Sequence, residues 1–91
     1  MKNQQFNSVW DAIENIKTAR MKVRSAFMIT LHDAIEKMGM TQAAAAKKLG
    51  ITQPRLNDLL RGRINRFSLD ALVDLTARVG LEIRIKFKTA A

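Results

Sequence analysis

The side chains best suited to chemistry in this sequence are cations and amides gathered in one stretch. Residues 41–67 hold six basic residues (Lys47, Lys48, Arg55, Arg61, Arg63 and Arg66) against the single acid Asp58, a local charge of +5. Residues 1–40 carry +2 and residues 68–91 carry +1, out of +8 for the 91-residue chain. A positive footprint this concentrated suits a polyanion, because each cation that neutralises a phosphate releases a condensed counterion. Charge alone is equally compatible with a solvated Lys- and Arg-rich surface. What lies inside the basic segment has to decide, and the polar residues Gln53, Arg55, Asn57 and Asp58 stand within it.

Other chemistries find little support. The chain has no Cys, which excludes disulfide scaffolds, thiolate metal sites and cysteine nucleophiles. His32 is the only histidine, with Asp33 beside it and Glu36 one turn on. A metal site would need a third ligand, so a place on a helix surface is expected and no metal or cofactor is assigned. No nucleophile elbow, phosphate-cradling glycine loop or zinc-helix signature occurs, and no enzymatic activity is expected. Met21, Met28, Met38 and Met40 suit flexible core filling. The amino end is polar rather than apolar over signal-peptide or membrane-spanning length, which predicts a cytoplasmic protein without a membrane segment.

The elements that must position the polar stretch can be read from caps and periodicity. With 47% apolar and 26% charged residues the chain can build a core. At this length that core is marginal, a deficit that a dimer relieves. Ser8 resembles a capping residue for a short helix whose Phe6, Val9, Trp10, Ile13 and Ile16 share a face. A longer helix is predicted from about Arg20 to Met38, with Val23, Phe27, Ile29, Leu31, Ala34, Ile35 and Met38 on its apolar face and Gly39 at its end. Three capped segments follow. Thr41 opens a helix that Gly50 closes, Thr52 opens one that tolerates Pro54 in its first turn and ends near Gly62, and Ser68 opens a third with Leu69, Leu72, Val73, Leu75 and Val79. Leu81, Ile83, Ile85 and Phe87 then alternate with charged residues in the two-residue period of a strand.

Two short helices joined at a glycine, in the most basic part of the chain, meet the requirements of a helix-turn-helix. Ala46 is small where the helices cross, Gly50 makes the turn, and Ala45, Leu49, Ile51, Leu56 and Leu59 face inward. Thr41-Gln42 and Thr52-Gln53 at the two helix starts resemble the lambda-repressor/Cro-type (XRE) helix-turn-helix family. The run from Thr52 to Arg63, followed by Phe67-Ser68-Leu69-Asp70-Ala71-Leu72, is similar to the HigA-like antitoxin branch, whose members are encoded beside RelE-like toxins. Ala44-Ala45 departs from the family pattern, which commonly has an acidic or polar residue followed by a larger apolar one.

The resemblance implies a sequence-specific, DNA-binding transcriptional repressor that neutralises a RelE/HigB-like toxin. It places Gln53, Arg55, Asn57 and Asp58 at base edges, with Pro54 where relatives often carry another polar reader. Gln42, Thr52, Arg61, Arg63 and Arg66 would contact phosphates. The alternatives are a free-standing or prophage regulator without a toxin, and a protein that mainly binds a toxin.

The expected fold is a single all-α domain over residues 1–91 with about five helices. It divides into an amino-terminal helical segment (1–18), a lambda-repressor-like helix-turn-helix core (19–80) and one carboxy-terminal β-strand (81–88). A lone strand must pair with something. Pairing of Leu81, Ile83, Ile85 and Phe87 with a second copy would give a homodimer suited to a palindromic operator, and augmenting a toxin's sheet is the alternative. Phe6, Val9, Trp10 and Ile13 would either cover the core or contact a toxin.

Overall fold

The computed structural model describes residues 9–89. Its α-helices are α1 (Val9–Lys37), α2 (Gln42–Leu49), α3 (Gln53–Leu60) and α4 (Leu69–Arg78). A single 3-10 turn, Ile64–Arg66, links α3 to α4. α1 packs against α3 and α4, and α2 packs against α3 and α4 as well.

The short helices begin where the capping residues stand. The Thr41, Thr52 and Ser68 hydroxyls accept from the backbone N–H of Ala44 (3.2 Å), Arg55 (3.2 Å) and Ala71 (3.1 Å), each satisfying a donor the first turn leaves over. α2 stops at Gly50, whose φ of 72° is left-handed and would strain a residue with a Cβ. The core lies where the four helices converge. Leu31, Leu49, Leu56, Leu59, Phe67 and Leu72 are fully buried, and Met28, Ile35, Ala45, Ala46 and Leu75 join them. The inward set expected of the two short helices is thus in place, with Ile51 half-buried at the margin.

Two expected elements differ. The short and long amino-terminal helices are one continuous helix of 29 residues, because Thr18-Ala19-Arg20 contains nothing that breaks a helix. The proposed boundary between residues 18 and 19 falls inside it, and the described chain has four α-helices rather than five. The carboxy-terminal strand is likewise absent. Residues 81–89 have no regular secondary structure, and no strand occurs among the described residues. A ladder needs a neighbour to receive its N–H and C=O groups, and the described residues offer none.

The burial pattern corrects the expected core as well. Val23, Ile29, Leu69 and Val73 are exposed, whereas Phe67 and Thr76 are buried. The Thr76 hydroxyl is satisfied by donating to the Leu72 carbonyl at 2.8 Å. Among the methionines expected to fill the core, Met28 does so, while Met21 and Met40 are exposed. α1 contributes buried residues only from Met28 onward, so its amino-terminal half projects from the core. The radius of gyration, 16.4 Å, exceeds the roughly 12 Å of a compact domain this long.

Candidate nucleic-acid interface

α2 and α3 are locked as a unit before any side chain reaches outward. The Ile51 N–H donates to the Ala46 carbonyl at 3.0 Å and the Gly50 N–H to Lys47 at 3.1 Å, which closes α2 and turns the chain into α3. Arg78 ties α4 to this turn. Its Nη1 donates to the Leu49 carbonyl at 2.8 Å, while its Nε pairs with Asp74 at 3.1 Å. A Cβ at Gly50 would run into that guanidinium. Arg78 therefore supplies a donor to the carbonyl end of α2, where helix geometry leaves acceptors over.

The outer face of α3 begins with Gln53 and Pro54, both exposed. Asn57 is half-buried one turn further on, with Arg55 and Asp58 beside it at similar depth. Arg55 is engaged within the chain: its guanidinium stands 4.0 Å from the centroid of the Phe67 ring, and its Nη1 donates to the Arg66 carbonyl at 2.7 Å. Asp58 is engaged too, its side chain only 15% exposed. It accepts from Arg63 Nη1 at 3.0 Å, and both its oxygens accept from Arg66 Nη1 at 3.2 Å. These contacts pin the loop after α3 to α3 itself. Two of the four residues expected at base edges thus brace the loop that carries the expected phosphate-binding arginines.

Gln42 and Thr52 stand at the starts of α2 and α3, both exposed. The Thr52 oxygen accepts the cap hydrogen bond, which leaves its own O–H to donate. Lys47, Lys48 and Arg61 are exposed and form no ion pair among the described residues. Apart from the partially neutralised Arg63 and Arg66, two exposed cations without an ion pair thus stand at the end of α2 and one at the end of α3.

That geometry agrees with the comparison with known families, in which residues 10–88 match a family model for a helix-turn-helix domain. The chain belongs to this helix-turn-helix domain family. No curated protein matches it. As a helix-turn-helix domain it is a DNA-binding protein of the regulator type.

The remaining candidates lie away from α3. Val9, Trp10 and Ile13 are exposed on the projecting half of α1, and Phe6 lies outside the described residues. Leu81 is half-buried, whereas Ile83, Ile85 and Phe87 are exposed. The His32 Nε2 is 3.7 Å from Glu36, while Asp33 pairs with Lys37 at 3.1 Å. No group of three or more metal-ligating side chains occurs among the described residues. No helix among them is long and apolar enough to cross a membrane.

Sequence reasoning passed over Phe67 as a packing partner and Arg78 as a cap. Phe67 lies twelve residues beyond Arg55 and Arg78 lies 29 beyond Leu49, separations at which no periodicity links two residues. The one available signal was chemical: α2 ends in unpaired carbonyls that need a donor.

Proposed function

We propose that this helix-turn-helix domain is a sequence-specific repressor that binds duplex DNA as a homodimer on a palindromic operator. The observation that carries the proposal is the exposed start of α3, with Gln53 foremost, on a helix pair whose Lys47, Lys48 and Arg61 are exposed and form no ion pair among the described residues. Gln53 and Asn57 read base edges. Gln42, Thr52, Arg61 and the remaining donors of Arg63 and Arg66 contact phosphates. Arg55 and Asp58 serve the same surface by holding the loop from Arg61 to Phe67 in place. The second copy is joined through residues 81–88, where Ile83, Ile85 and Phe87 are exposed among the described residues and would complete a two-stranded antiparallel ladder. Such a protein works in the cytoplasm, where the DNA is.

The proposed setting is a toxin–antitoxin operon, in which the chain represses its own operon and neutralises a RelE-like toxin. Its support is the resemblance of residues 52–72 to HigA-like antitoxins, together with the exposed Trp10 and Ile13, aromatic and aliphatic anchors of the kind that concentrate interface energy. Selection of duplexes from a random-sequence pool by the full chain tests the DNA reading, and a single enriched palindrome is expected. Co-expression with the product of the neighbouring gene tests the antitoxin role. That role fails if the chain protects against no toxin, which would leave a free-standing regulator.

A further inference from the structure

The projecting half of α1 has an internal seven-residue repeat. Val9, Ile16 and Val23 alternate with Ala12, Ala19 and Ala26. β-branched residues thus hold one seam position of a heptad and alanines the other, the spacing that gives a left-handed helix pair. These six residues share one flank of α1, roughly 120° around the helix from the Met28, Leu31 and Ile35 side that enters the core. The flank is open, Val9 being 72% exposed, Ile16 52% and Val23 43%. Ala19 and Ala26 are exposed and Ala12 is half-buried.

We propose that this flank is a seam between two copies of the chain, which lie antiparallel along α1. The argument is self-complementarity. About a two-fold axis between Ile16 and Ala19, Val9 faces Ala26 of the second copy, Ala12 faces Val23, and Ile16 faces Ala19. Symmetry repeats each pair, so every layer sets one large residue against one small one and the layers fill evenly. A parallel pair would stack like on like, leaving gaps between facing alanines that forfeit dispersion contacts.

Charge favours the same orientation. Arg20 and Lys22 border the seam; antiparallel packing brings them level with Asn15 and Ile13 of the second copy, whereas parallel packing puts each level with itself. Area sets the seam's role. Residues 9–26 run roughly 26 Å, and a strip about a third of the helix circumference wide covers roughly 300 Å² on each copy. The resulting total of roughly 600 Å² is half of the ~1,200 Å² of a stable specific interface. The seam therefore acts together with a second contact, and the exposed Ile83, Ile85 and Phe87 offer apolar surface for one. The seam goes beyond the DNA reading, whose tests do not depend on it.

Because the chain has no Cys, cross-linking tests the seam cleanly. Ala12→Cys and Val23→Cys are made as separate full-length variants, mixed and mildly oxidised. A disulfide-linked dimer is expected in the mixture and in neither variant alone, since like positions lie eleven residues, roughly 16 Å, out of register. Val9→Cys with Ala26→Cys, the next facing pair, should behave alike, and it replaces the first pair if either of those variants melts lower than the parent. In parallel, Ala19→Arg should raise the dimer dissociation constant at least tenfold in sedimentation while leaving the affinity of one protomer for a single half-site duplex unchanged. Self-linking of either variant alone, no link in either mixture, or an unaltered dimer constant in Ala19→Arg would overturn the proposal. A flank reserved for a toxin would give the second of these results.

Discussion

Residues 28–76 and the two arms that flank them are built from the same apolar residue types and fare oppositely. Leu56 and Leu59 on α3 are fully buried, while Ile16 on α1 is 52% exposed and Phe87 88% exposed. In the middle, caps and glycines cut the chain into short helices that turn back on one another, so most apolar side chains find others, Ile29, Met40, Leu69 and Val73 excepted. In the arms one helix runs out and one segment runs on without a ladder, and beyond Phe27, Val79 and Leu81 at their roots most of their described apolar side chains are exposed. The middle therefore stabilises itself and displays charge. The arms display hydrophobic surface of the kind that the proposed partners would cover.

The sharpest way to break this contrast is to remove one large side chain from each region. Leu56→Ala should cost about 2–5 kcal/mol of unfolding free energy in chemical denaturation, from lost burial and the cavity left behind. Ile85→Ala should stay within about 0.5 kcal/mol for the monomer. Comparable losses at both sites would mean that the arms belong to the core. On the DNA side, Gln53→Ala should relax discrimination at one base pair by about 1–3 kcal/mol, read by competition among single-substitution duplexes. Arg61→Ala should weaken all sequences alike and reduce the salt slope by about 1.

Smaller effects sharpen the role of the brace. Asp58→Asn keeps the shape but removes the charge that holds Arg63 and Arg66. With both arginines partly solvated, the expected loss of stability is about 1 kcal/mol. Affinity for non-specific duplex should rise at the same time, because two cations are released toward phosphate. Loss of discrimination at a single base pair with no gain on random DNA would instead make Asp58 a base reader. Thr52→Ala should cost about 1 kcal/mol through the lost cap of α3, measured by thermal melting.

Much of the middle was legible because its signals are local. Thr41, Thr52 and Ser68 announce helix starts within three residues of the donors they cap, and Gly50 marks a turn by its own backbone. The continuity of α1 was harder to read, since what makes one helix of two is the absence of a breaker around Ala19, against an apolar pattern that changes face. The two-residue period of residues 81–88 pointed to a strand that does not form, because a period marks which side chains share a face and not whether a neighbouring strand is there to receive the backbone groups. At the candidate interface the exposed Gln53 followed from its place at the helix start. The engagement of Arg55 with Phe67 and of Asp58 with Arg63 and Arg66 depends on how the loop folds back, which residue types alone do not encode.

The proposed function has the folded middle present α3 and its cationic residues to duplex DNA. Its most direct test is the affinity of the full chain for its selected duplex, measured by fluorescence anisotropy across a range of salt concentrations. With about 6–10 phosphates contacted per dimer, the logarithm of the association constant should fall with the logarithm of salt at a slope of roughly −5 to −9. A slope near zero would contradict the claim.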